Sequence, residues 1–185
     1  MCVVMGITVY LSKISHYFSA LEAVQYEKHE LLSNQFISLA AESMERQLTM
    51  DLCRIFDREK TMGFTNCCVE TLEKVCLDCS SLFPNGESDE LISEMKALRE
   101  EFESAIKRET RNKKLAHSDY QELWSFHFVE IEFEKEKQLY LHTVDVLKKV
   151  IRRFEWDENI FCIHFEEGNS INYVAELNKL SHKKD

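Results

Sequence analysis

Glycine and proline together fill five positions of this chain, 4 and 1 among 185 residues. Average usage of about 7% and 5% would supply roughly 22. Sandwiches, barrels and doubly wound sheets need turn residues every dozen positions or so, and this chain cannot provide them. Gly6, Gly63, Gly86 and Gly168 each stand alone, so neither a Walker-type phosphate loop nor a dinucleotide-binding fingerprint is present. With 44% hydrophobic and 30% charged residues, what remains is a soluble, mostly helical domain of ordinary size.

Charge narrows the possible partners. Lys and Arg number 23 against 33 Asp and Glu, a formal net charge of −10. Non-specific coating of nucleic acid needs a broad basic surface, which such a chain lacks, although a small basic site on an acidic body stays open. The seven cysteines are an odd number. The apolar stretch from Cys2 to Leu11 has no positive n-region or cleavage site and is too short to span a bilayer. Reduced thiols, a cytoplasmic setting and no membrane association are therefore expected.

Apolar residues recur at helical spacing in five places. Ile14, Phe18, Leu21 and Val24 open the first stripe. Phe36, Ala40, Met44, Leu48, Leu52 and Ile55 form the second, and Val69, Leu72, Cys76, Cys79 and Phe83 the third. Leu91, Met95, Leu98, Phe102 and Ala105 make the fourth, and Tyr140, Val144, Leu147, Ile151 and Phe154 the fifth. One buried face per helix predicts an all-α, up-and-down bundle of four to five long helices. Residues 1–155 are assigned to the bundle, and 156–185 to a C-terminal extension on the same domain. Pro84-Asn85-Gly86 reads as a turn, Ser88 with Asp89 and Glu90 as a helix start, and Asn66 as the cap of the third helix. Ser118 followed by Gln121 fits a capping box, starting a new helix after His117. Val129, Ile131 and Phe133 alternate with acids as in a short strand or an irregular helix start. Residues 160–174 could form a small hairpin.

One segment carries chemistry. Lys107, Arg108, Arg111, Lys113 and Lys114 cluster just before His117-Ser118-Asp119-Tyr120. The fourth apolar stripe fails after Ile106, so this basic turn projects beyond the packed bundle. Cations at a helix C-terminus are favourable with the macrodipole by about 0.3–1 kcal/mol each, which is the ordinary explanation. Arg111 and His117 would diverge by about 120° on a continuous helix. They converge only if the helix breaks between them, or if each faces a groove shared with a second subunit. An imidazole beside a guanidinium, with Asn112, Lys113 and Lys114 around them, can bind a phosphodiester and move a proton.

The run Arg111-Asn112-Lys113-Lys114-Leu115-Ala116-His117 resembles the signature of the HEPN superfamily, an Arg and a His four to six residues apart with a polar residue after the Arg. Leu52-Cys53-Arg54-Ile55-Phe56-Asp57, Gly63, Asn66, the helix of Leu72 and the His117–Tyr120 ending are similar to the abortive-infection AbiU-type branch. The resemblance implies a bundle that forms a two-fold homodimer, with the Arg and His of both subunits in one cleft. It implies a metal-independent endoribonuclease of a toxin or phage-defence system, needing no cofactor and open to an antitoxin or defence partner. Arg111 would bind the scissile phosphate, His117 would act as general base or acid, and Asn112 would support them; Arg108, Lys113 and Lys114 are the candidate substrate-binding residues. Tyr120 falls three residues after His117, not two as in members modified on tyrosine, so that regulation is not carried over.

RNA supplies its own nucleophile, so such an enzyme needs only to align the 2′-OH, move a proton and stabilise the phosphorane. A His titrating near pH 6.5 suits the second task and a fixed Arg the third. Other clusters read as structure. Cys76 and Cys79 fall on an apolar stripe without the second cysteine pair that a zinc site needs, so buried thiols are expected. Asp57 reads as a turn residue. Lys148, Lys149, Arg152 and Arg153 read as a solvated face that could also line an RNA path. The rival functions are a non-catalytic HEPN-like module that docks a protein or senses a nucleotide, and a subunit held by an antitoxin.

Overall fold

The computed structural model describes residues 1–26, 35–83, 86–106 and 133–156. Among them are five α-helices, α1 (Cys2–Tyr26), α2 (Gln35–Ile55), α3 (Val69–Asp78), α4 (Glu87–Ala105) and α5 (Phe133–Arg153). One two-stranded antiparallel hairpin, β1 (Lys60–Thr61) and β2 (Phe64–Thr65), joins α2 to α3. The all-α bundle expected from the turn-poor composition is what forms.

Each expected stripe supplies the core. Ile14, Phe18 and Leu21 of α1, Leu48, Leu52 and Ile55 of α2, and Val69, Leu72 and Cys76 of α3 are buried together. Leu91, Met95, Leu98 and Phe102 of α4 and Tyr140, Val144, Leu147 and Ile151 of α5 complete the same cluster. The first helix begins earlier than its stripe predicts. Cys2 to Leu11 forms its opening half, and Val4, Ile7 and Leu11 extend the buried row. That row steps by 3 and 4 from Val4 to Leu21, and α1 packs against α2, α3 and α5.

Polar contacts set the relative directions. His142, Lys149 and Arg153 of α5 pair with Glu101, Glu94 and Glu87 of α4, so successive partners run in opposite directions. Lys149 and Arg153 thus tie two helices together instead of only facing solvent. Lys137 pairs with Glu22, and the Phe18 and Tyr140 rings lie 5.4 Å apart, which sets α5 antiparallel to α1 as well. Arg99 reaches back from α4 to Glu70 and Glu73 of α3.

Three local expectations are corrected. Asn66 does not cap α3. Its Nδ2 donates to the Arg58 carbonyl and Thr61 Oγ1, closing the hairpin, while Cys68 occupies the N-cap without a side-chain bond. The residues around Gly63 form a hairpin where only a break was read, because Met62 (φ 50°) and Gly63 (φ 85°) adopt the paired left-handed conformations of a two-residue turn. The expected start of α4 holds: Gly86 (φ 83°) is the N-cap, and Ser88, Asp89 and Glu90 lie in the first turn. Cys79 follows α3 as its C-cap, half-buried, and Cys76 alone of that pair is sealed in the core.

Gly6 shows how tightly α1 meets the loop before α3. A Cβ there would lie 2.7 Å from Cys67 Sγ and closer still to Cys67 Cβ. Glycine inside a helix ordinarily costs up to about 1 kcal/mol relative to alanine, so here close packing reverses the usual sign. Gly6→Ala is expected to lower stability by about 1–3 kcal/mol, and Gly6→Ala/Cys67→Gly to recover part of it, as read by chemical denaturation.

Candidate functional site at the end of the bundle

The helix that leads into the basic segment ends where its apolar stripe does. Helix α4 stops at Ala105, and Ile106 is its buried C-cap, with an extended backbone and its N–H bonded 2.8 Å to the Phe102 carbonyl. The antiparallel pairing of α4 with α5 puts Ile106, where the chain leaves α4, and Phe133, where it enters α5, at the same end of that pair. Arg108, Arg111, Asn112, Lys113, Lys114 and His117 fall between these two points and lie outside the described residues. So do the capping box at Ser118, Val129, Ile131 and residues 160–174.

What the described residues do place is the frame around that interval. Phe56, directly after α2, stacks on Phe102 in the last turn of α4, with centroids 4.7 Å apart and planes 14° apart. The stretch Leu52 to Phe56 is buried except for Arg54. Asp57 Oδ1 accepts the Arg58 N–H at 2.9 Å, a local turn bond. The Leu52–Asp57 stretch singled out in the sequence is therefore packed against the helix end from which the Arg/His segment departs.

Two buried carboxylates belong to the same frame. Glu136, in the first turn of α5, is 3% exposed, and Thr49 Oγ1 lies 3.0 Å from its Oε1. Burial pushes its carboxyl up to about 7, opposed by the Thr49 hydrogen bond and reinforced by Glu45. Thr49 Oγ1 also approaches the Glu45 carbonyl at 3.2 Å. One hydroxyl proton cannot serve both acceptors fully. A protonated Glu136 resolves the conflict by donating to Thr49, which then donates to Glu45. The second carboxylate, Asp51 on α2, is fully buried; its Oδ1 accepts from Arg54 and Gln47 while its Oδ2 has no hydrogen-bond partner among the described residues. The Arg54 guanidinium lies 5.8 Å from the Tyr10 ring centroid, and Asp51 helps raise the Tyr17 hydroxyl after burial itself. Neither carboxylate was expected from the sequence, but the signal was there. Glu136 is four residues before Tyr140, and Asp51 lies three after Leu48 and four before Ile55, so each is an acid on an apolar stripe.

The Cys76 thiol is pushed up to about 11 by burial and then by Cys79, which makes it a core group with little thiolate at neutral pH. Among the described residues no group of three or more His, Cys, Asp or Glu is arranged to hold a metal ion. None of the described helices is long and apolar enough to cross a membrane.

An all-α bundle with a buried acidic frame at one end is the class the geometry defines. Comparison with known families takes it further: residues 7–163 match the family described as AbiU2, of the HEPN group, and the chain belongs to that family. The match spans α5 and the whole interval containing Arg111 and His117. Membership suggests a ribonuclease-like or abortive-infection module. No curated protein and no solved structure matches the chain.

The Glu136 site makes a pH prediction. A folded-state value above the unfolded one means that its contribution to stability is fully present below about pH 4.5. It is lost as pH rises through about 7. The difference corresponds to about 3 kcal/mol at most. Glu136→Gln is expected to melt higher than the wild type at pH 8 and to lose the pH 4.5–7 decline. Parallel melting profiles for the two proteins would remove the buried acid from this account.

Proposed function

We propose that this protein is an endoribonuclease of a toxin or phage-defence system, acting in the cytoplasm as a homodimer whose two subunits share one Arg/His cleft. The observation that carries the reading is the family match across residues 7–163, which includes the Arg111–His117 interval. It is supported by the end of α4 at Ile106, one residue before the basic run begins.

The proposed chemistry needs few parts. Arg111 binds the scissile phosphate and stabilises the charge that accumulates on its oxygens in the transition state. His117 takes the proton of the 2′-OH or gives one to the leaving oxygen, a role suited to an imidazole near neutral pH. The O2′–P bond forms, the P–O5′ bond breaks, and the products are a 2′,3′-cyclic phosphate and a 5′-OH. Asn112 holds these groups by hydrogen bonds, and Arg108, Lys113 and Lys114 engage flanking phosphates. No metal or cofactor enters the sequence of steps. A partner protein, such as an antitoxin, would act by covering the basic segment.

The test is cleavage of total RNA and tRNA by purified protein in excess chelator. Cutting is expected to persist with chelator present and to leave cyclic phosphate ends. His117→Ala is expected to lose about 100-fold or more, and Arg111→Ala about 100- to 1,000-fold. Absence of cutting by the wild type with a stable dimer would favour the non-catalytic binding module. Cutting that His117→Ala leaves intact would overturn the assigned site.

A further inference from the structure

The hairpin between α2 and α3 spends nearly all its polar groups on holding its own shape. Asn66 Nδ2 bridges the Arg58 carbonyl at 2.7 Å and Thr61 Oγ1 at 2.8 Å, and its N–H reaches the Glu59 carbonyl at 2.8 Å. The Glu59 N–H is bound by the Glu70 carboxylate, and Glu59 Oε1 by Lys74 at 2.9 Å. Such bracing is unusual for a ribbon of two residues per strand, which is marginal in water without it.

Four side chains are left over. Met62 is 95% exposed and Phe64 76%, the two most exposed large apolar groups among the described residues. Arg58 and Lys60 are also exposed, and neither has an ion pair among the described residues. The pairing of Thr61 with Phe64 and Lys60 with Thr65 sets the ring on one face of the ribbon and Lys60 on the other. Met62 adds backbone strain, since a non-glycine residue at φ 50° is uncommon. A solvent-facing ring on a braced ribbon, with two exposed cations, Arg58 and Lys60, on the same ribbon, has the chemistry of a base-stacking platform for single-stranded nucleic acid. The chain as a whole carries −10, so two exposed cations on the ribbon that bears the ring distinguish it from an ordinary apolar protein contact. The hairpin begins four residues after Phe56, which stacks on the end of α4, so it stands beside the end of the bundle from which the Arg/His segment departs.

We propose that the β1–β2 hairpin grips single-stranded RNA, with a base stacked on Phe64 and the adjoining phosphates drawn to Arg58 and Lys60 around the ribbon's edge. This deepens the ribonuclease reading and rests on it for the identity of the ligand.

The experiment separates the two. Fluorescence anisotropy measures binding of the full chain to a short labelled 2′-O-methyl oligouridylate, which cannot undergo 2′-OH attack. Cleavage of the unmodified RNA is followed in parallel. Phe64→Ala is expected to weaken binding about tenfold or more and Phe64→Trp to restore it. Arg58→Ala/Lys60→Ala is expected to weaken binding and to flatten the logarithmic salt dependence by about 1.4. Sedimentation of the same samples reports their oligomeric state. Wild-type affinity in Phe64→Ala overturns the proposal while leaving cleavage untouched. So does a loss of binding that tracks conversion of a dimer to monomers, because the hairpin is then an interface between copies. Phe64-dependent binding without any cleavage supports the hairpin and rejects the ribonuclease. No binding by the wild type rejects the hairpin site, and the parallel cleavage assay alone decides the ribonuclease.

Discussion

The molecule depends on how α1 is buried. Between Cys2 and Tyr26 it carries only Lys13 and Glu22 as permanently charged residues, and its row from Val4 to Leu21 lies in the centre of the core. Helices α2, α3 and α5 all pack against it. Removing that apolar surface from water is the dominant favourable term, at roughly 25 cal/mol per Å². Everything at the bundle's end is positioned relative to that axis. The close approach of Cys67 to Gly6 and the pairing of Glu22 with Lys137 fix where α3 and α5 begin.

The polar interactions refine this packing more than they create it. The polar pairs between α4 and α5 are partly exposed, and solvent-exposed pairs of this kind are worth about 0–1 kcal/mol each. Their value is in direction: the three pairs run in opposite order along the two helices and hold α5 antiparallel to α4. That direction returns the chain to the end of the bundle it left at Ile106. Glu136 works the other way. It is buried beside Thr49 and Glu45 of α2, where a carboxylate is expensive unless protonated or well bonded. An acid retained in such a place, one turn into the helix that follows the Arg/His segment, couples the protonation of the frame to its packing.

Much of this was legible in the sequence because both signals used are local. The scarcity of Gly and Pro excluded sheets, and the 3–4 spacing of apolar residues located every helix described. The end of α4 was readable to the residue, since Ile106 is the last apolar position before a run of cations. The β1–β2 hairpin was not, because Met62-Gly63 is an uncommon turn pair and Lys60–Thr65 has no strong alternation. Asn66 was misassigned for a related reason: the same side chain can cap a helix or close a turn, and only the position of the Arg58 carbonyl decides between them.

The sequence by itself determined the fold class, the core-facing residues and the family, because periodicity and composition are properties of the chain alone. The tertiary structure decided which of its polar residues are buried and which exposed groups are left without partners. Asp51 and Glu136 look like any other acids until facing helices enclose them, and Phe64 looks like a core residue until the hairpin turns it outward. Burial and partnership depend on neighbours far apart in the chain, as Thr49 and Glu136 are. No local pattern encodes them.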